Sequence, residues 1–157
     1  MKAMMLALGT NVGNKIANLR QATTHISQYF LIKEVSRIYR SNPIGYLPQP
    51  DFYNLVMFCD LPTHPPFECL TILQKIESDM GRIRDIPQGP RIIDIDMLFF
   101  GTMELQTSQL ILPHPQWHLR SFTVYPIMEI SAYNNIKLSF TMQTLPDRKG
   151  LMPVGFL

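Results

Sequence analysis

The chain alternates between stretches of two hydrophobic periods, and these outline the fold before any residue has a role. Residues 3–8 are a short apolar run that reads as a strand. Residues 15–30 carry Ile16, Leu19, Thr23, Ile26 and Phe30 at helical spacing, with Asn14 placed to cap the N-terminus. Residues 31–39 alternate weakly as a second strand, 42–51 form a long loop marked by proline and glycine, and 52–61 read as a third strand. The spacing predicts a second helix over 66–80, where Phe67, Leu70, Leu73, Ile76 and Met80 share a face and Gly81 stands at the C-cap position. Residues 82–90 are then loop and 92–100 a fourth strand. Beyond it come a polar connection, the 113–119 segment and a helix-like stretch near 120–131. Pro146, Gly150, Pro153 and Gly155 leave the C-terminal region without a predicted element. The order βαββαβ with additions points to a ferredoxin-like α+β sandwich, a mostly antiparallel sheet with helices packed on it.

The fourth strand breaks its own pattern. Within GPRIIDIDMLFFG, residues 89–101, Asp94 and Asp96 interrupt an aliphatic run. Strand side chains alternate faces, so the two carboxylates share one face about 6–7 Å apart. Desolvated negative charges at that distance repel unless something positive lies between them, and a divalent cation is the natural partner. The bland alternative is an edge strand with two solvated acids. Four arginines border this strand: Arg82 and Arg84 in the loop after the second helix, Arg91 just before the acids, and Arg120 after Pro113-His114-Pro115. Each alone is an ordinary surface residue, whereas their clustering suits a polyphosphate. A P-loop is excluded, because Gly9 to Lys15 lacks the four-residue spacing and the Gly-Lys-Ser/Thr ending; the segment reads as a turn and helix cap.

Other residues are ambiguous by themselves. Phe52 and Phe122 are equally well read as core aromatics or as walls of a site. Asn54 would share the face of Phe52 and add an amide suited to a planar heterocycle. His114 is held between two prolines, while Gln74 and Glu77 lie three apart on the second helix, where a solvated face is the ordinary reading. Composition adds bounds. A length of 157 residues, 46% hydrophobic and 17% charged, fits one domain over 1–157. A net charge of +2 without a basic run argues against a nucleic-acid partner. Cys59 and Cys69 form no metal-type pair and are expected to stay reduced in the cytosol. The N-terminal segment lacks a cleavage-type site and no apolar run reaches the ~18 residues that span a bilayer, so a cytoplasmic protein is expected.

Taken together, these segments resemble the 6-hydroxymethyl-7,8-dihydropterin pyrophosphokinase family of folate biosynthesis. GPRIIDIDMLFFG is similar to its Gly-Pro-Arg-x-aliphatic-Asp-aliphatic-Asp signature. Five further segments follow in the family's order: Leu8 to Asn14, Tyr39 to Gly45, Gln49 to Asn54, Ile76-Glu77 through Arg84, and Pro113-His114-Pro115 through Phe122. The resemblance implies transfer of pyrophosphate from ATP to the hydroxymethyl group of a reduced pterin, with release of AMP. It implies two Mg²⁺ ions on Asp94 and Asp96, and catalytic roles for Arg82, Arg84, Arg91 and Asp96. ATP would meet Gln74, Glu77, Arg82, Arg84, Arg91, His114 and Arg120. The pterin would meet Ser41, Pro43, Ile44, Asn54 and Asp94, stacked between Phe52 and Phe122. Association with other folate-pathway enzymes is a further implication.

One segment departs from the family. Asp85-Ile86-Pro87-Gln88 lacks the basic residue two before Gly89 and the aromatic directly before it. Loop 82–90 is therefore expected to close less tightly than in typical relatives. The alternative function is a catalytically degraded protein that binds pterin and ATP without releasing AMP.

Overall fold

Burial on both faces sets the position of the first strand: β1 (Ala3–Thr10) is covered along nearly its whole length and pairs antiparallel on both edges. The structure, a computed structural model, describes residues 2–130 and 144–157; residue 131 of the expected third helix and the C-terminal stretch 131–143 lie outside the described residues. After β1 come α1 (Lys15–Ser27), β2 (Ile32–Val35), β3 (Ile38–Ser41), β4 (Phe52–Asp60), α2 (Pro66–Asp79) and β5 (Asp94–Phe100). The hairpin of β6 (Leu105–Gln106) and β7 (Ile111–Leu112), a 3-10 turn at Trp117–Leu119, α3 (Ser121–Glu129) and β8 (Met152–Gly155) follow. The main sheet runs β5-β1-β4-β3-β8, with β2 also on β4, and its strand pairs are antiparallel. With β2 and β3 counted as two halves of one strand, the opening follows the ferredoxin-like βαββαβ order.

That interruption corrects the single strand expected over 31–39. Ser36 N donates to Val56 O and its Oγ accepts from Val56 N, each at 2.9 Å, so a side chain completes the ladder where the backbone bends away. Asn14 caps α1 as expected, its side chain accepting from Ala17 N at 3.0 Å. At the end of α2 Gly81 has φ 89°, and Gly81 N and Arg82 N turn back onto Ser78 O and Glu77 O. This is a Schellman ending, and it directs Arg82 back toward its own helix. On α2, Leu73, Ile76 and Met80 are buried as expected, but Phe67 is exposed and Cys69 takes its place in the core. β8 lies in the region without a predicted element; its Pro153 is tolerated at the sheet edge.

Apolar side chains fill both faces of the sheet. Met4, Leu6 and Leu8 of β1 pack with Leu55, Met57, Leu19, Ile26, Leu73 and Ile76 beneath α1 and α2. Met5 packs on the other face with Val56, Leu98, Phe99, Val124 and Ile127. Trp117 closes this second cluster edge-on to Phe99 at 5.0 Å, a role its sequence position did not signal.

Candidate active site

The face of the sheet that bears α3 changes character along three neighbouring strands. Under α3 the rows are apolar, with Met5, Val56 and Leu98. Two residues further along each strand toward the open end, the same faces carry Ala7 and Gly9 on β1, Asn54 and Phe52 on β4, and Asp96 and Asp94 on β5. Alternation keeps these residues on one side. The result is a cleft of 370 Å³, bounded also by the loops 42–51 and 82–90.

The structure brings nearly all the sequence-derived candidates to this cleft. Ser41, Ile44, Phe52, Asn54 and Phe122 line one part, and Gln74, Glu77, Arg82, Arg84, Arg91, Asp94, Asp96, His114 and Arg120 the other. Pro43 is the exception, the lining residue there being its neighbour Asn42. Sequence reasoning missed Ala7 and Gly9, whose role is to lack bulk: a Cβ on Gly9 would lie 3.1 Å from Asn54 Oδ1. It also missed an adjoining cavity of 260 Å³ that shares Asp96 and His114 and is walled by Leu70, Met97, Thr107, Leu110 and Ile111. Short apolar and hydroxyl residues around a two-residue hairpin carry no chemical signal in a sequence.

Charge is concentrated on the acid side. Glu77 is buried, and its Oε1 accepts from Arg82 Nη1 and from Ile95 N, both at 2.7 Å. Arg82 Nη1 also reaches Asp94 Oδ1 at 2.6 Å, while Arg91 Nη1 lies 3.4 Å from Asp94 Oδ2. Burial raises the Glu77 carboxyl, opposed by the Arg82 charge. Asp96 meets weaker partners, Arg120 Nη1 at 3.5 Å and His114 Nε2 at 3.8 Å. Burial and then the neighbouring charge of Asp94 push its carboxyl up to about 7. His114 is lowered to about 4 by burial and by Arg120, so its ring is neutral near pH 7. Arg82 Nε and Arg91 Nε are buried donors without an acceptor among the described residues. A buried donor of this kind is costly to leave unpaired and suits an incoming anion.

On the aromatic side hydrogen bonds fix Asn54. Asn54 Nδ2 donates to Ser41 Oγ at 2.7 Å and to Tyr39 O at 3.3 Å, which fixes the amide and leaves Oδ1 as an acceptor. The guanidinium of Arg91 lies 4.8 Å from the Phe52 ring centre and that of Arg120 lies 5.7 Å from that of Phe122.

Asp94 and Asp96 fit a hard divalent cation. Among the described residues no cluster of three or more His, Cys, Asp or Glu gathers around a common point. A pair of carboxylates matches Mg²⁺, which takes one or two protein oxygens and completes its shell from phosphate and water. The raised carboxyl of Asp96 fits the same reading, since a cation would relieve the repulsion that raises it.

A protein-family model described as 7,8-dihydro-6-hydroxymethylpterin-pyrophosphokinase matches residues 5–132. The chain belongs to this family. It is 39% identical over 127 residues to the 2-amino-4-hydroxy-6-hydroxymethyldihydropteridine pyrophosphokinase of Bacillus subtilis, covering 80% of this chain and 75% of that protein. It is 35% identical over 132 residues to the bifunctional protein FolKE of Lactococcus lactis, covering 83% of this chain and 38% of that longer protein. Among solved structures, wild-type Plasmodium falciparum HPPK-DHPS shares the fold with a TM-score of 0.62 at 17% identity, over 86% of this chain and 39% of that one.

Proposed function

We infer that this cleft performs the reaction of the family, with its two sides dividing the work. The protein is an ATP-dependent pyrophosphokinase of folate biosynthesis, transferring pyrophosphate from ATP to the hydroxymethyl group of 6-hydroxymethyl-7,8-dihydropterin and releasing AMP. The observation that carries the division of roles is the pair of unsatisfied donors, Arg82 Nε and Arg91 Nε, in the same cleft as two aromatic rings and two carboxylates.

On this reading the pterin stacks between Phe52 and Phe122, displacing Arg91 and Arg120 from the rings, and Asn54 Oδ1 and the Ser41 hydroxyl read its polar edge. By analogy with stacked bases, each ring is worth ~1–3 kcal/mol. The triphosphate lies along Arg82, Arg84 and Arg91, with neutral His114 as a hydrogen-bonding partner that adds no charge. The adjoining cavity beside Leu110 and Thr107 takes the adenine. Two Mg²⁺ ions held by Asp94 and Asp96 together with phosphate oxygens would neutralise charge on the transferring group. The substrate hydroxyl attacks the β-phosphorus in line, the bond from that phosphorus to the bridging oxygen of AMP breaks, and the arginines stabilise the spread of negative charge. Glu77 takes part by holding Arg82 and the β5 backbone.

The fused folate proteins among the relatives support association with other enzymes of that pathway. A cytoplasmic setting is supported by the free, buried thiols of Cys59 and Cys69, pushed up to about 12 and about 11 by burial. Among the described residues no helix is long and apolar enough to cross a membrane. The test is product analysis with Mg-ATP and the pterin: AMP and the pterin diphosphate are expected, and ADP formation would overturn the reading. Asp96→Ala should lower kcat by at least ~10²–10³ while the metal-free protein melts no lower than wild type. Near wild-type turnover in that variant would remove Asp96 from the mechanism.

A further inference from the structure

The segment that carries His114 and Arg120 into the cleft is fixed by its backbone. His114 N donates to Leu98 O at 2.9 Å, Thr123 N and Val124 N both donate to Arg120 O at 3.0 Å, and Trp117, midway along, is buried against Phe99. None of these bonds fixes the Arg120 side chain, whose guanidinium stands at the end of a flexible stem and takes its place from what it touches. Among the described residues three contacts hold it: Nη1 lies 3.5 Å from Asp96 Oδ2, the guanidinium lies 5.7 Å from the Phe122 ring centre, and Nη2 donates to Gln116 Oε1 at 2.6 Å. The shortest contact is made by a residue so far without a role. Gln116 is exposed, at the N-cap of the 3-10 turn.

The other two contacts lie on surfaces that the functional reading gives to ligands. A pterin stacked on Phe122 covers the ring, and a cation on Asp96 competes for its oxygen. The Gln116 amide then keeps hold of Arg120 when both substrates are bound. An amide oxygen suits this task, since it accepts from Nη2 without neutralising the positive charge, and pinning one nitrogen of a planar fork directs Nη1 toward Asp96. The same residue orients His114. Gln116 N donates to His114 Nδ1 at 3.2 Å, so Nδ1 is the acceptor and the ring N–H is Nε2, the nitrogen 3.8 Å from Asp96 Oδ2.

We propose that Gln116 is a positioning residue for the transfer step, its side-chain amide holding the Arg120 guanidinium at the transferring phosphate after the substrates have taken over the other contacts of that arginine. The proposal rests on the functional reading above. A hold that matters only with both substrates in place adds little to the binding of either and acts on the chemical step. An amide that merely supported the 3-10 turn would behave differently, since its loss would act whether or not Arg120 was present.

The experiment is single-turnover measurement of AMP formation, with enzyme in excess over the pterin and saturating Mg-ATP, alongside steady-state KM values. Gln116→Leu fills similar space and accepts no hydrogen bond. Its rate of AMP formation should fall about fivefold or more while the KM of each substrate stays within about twofold of wild type. Its melting temperature should match wild type, because the position is exposed. In an Arg120→Ala background the same substitution should cause no further loss of rate, because both changes remove one interaction. A Gln116→Leu protein with the wild-type rate overturns the proposal, as does a loss confined to KM. An equal loss in the Arg120→Ala background also overturns it, since Gln116 would then serve the turn rather than the guanidinium. A wild type that forms no AMP overturns the functional reading and the proposal with it.

Discussion

At the scale of single residues, Phe52 and Phe122 have different attachments to the fold. Phe52 is 8% exposed on a central strand, whereas Phe122 is half-buried in the first turn of α3. Truncating Phe122 removes a stacking face and little packing. Phe122→Ala is therefore expected to weaken pterin binding by ~1–3 kcal/mol with ATP affinity nearly unchanged and a small loss of stability. Phe52→Ala should cost ~3–5 kcal/mol of folding stability in addition to the binding loss. Calorimetry and thermal melts on both variants check this. Equal stability losses would mean that both rings serve the core.

At the scale of elements, the ending of α2 matters because the helix is followed at once by a working residue. Gly81 supplies the positive φ that lets Arg82 N return to Glu77 O, and the Arg82 side chain then bonds Glu77 and Asp94. Gly81→Ala forces a side chain into that conformation and should cost about 1 kcal/mol. The turn also aims a guanidinium, so kcat should fall several-fold at temperatures where the variant is fully folded. If kcat is unchanged while the melting temperature drops, the turn serves the helix alone.

At the scale of the molecule, a cluster outside the cleft joins the end of α3 to the junction of β2 and β3. Glu129 Oε1 accepts from Arg37 N at 2.6 Å, and Oε2 accepts from Arg37 Nε at 3.0 Å and from the Tyr39 hydroxyl. Burial raises the Glu129 carboxyl, but the bonds from Tyr39 and Arg37 outweigh it and hold it below its ordinary 4.5. A depressed carboxylate adds stability in full above its unfolded value and loses it as pH falls through the folded value. Glu129→Gln should accordingly lower the urea midpoint at about pH 7, and the gap from wild type should narrow as pH falls below 4.5. A gap independent of pH would show that the charge plays no part.

Local chemistry determined much of this protein, because helical spacing, an N-cap asparagine, a C-cap glycine and two acids on one strand face each act within a few residues. Asn14, Gly81 and the shared face of Asp94 and Asp96 were legible for that reason. The ordered motifs also disclosed the family, since they name residue types without requiring their positions in space. What lay beyond the sequence depends on distant partners. The break at Ser36 needs Val56 across the sheet, burial of Trp117 needs Phe99, and Glu77 is buried only because β5 and Arg82 close over it. The link from Asn11 through Gln49 to Gln88 joins three segments far apart in the chain. Amides have no periodicity and no charge, so only packing of the sheet, which brings their donors and acceptors within hydrogen-bond reach, decided what they hold.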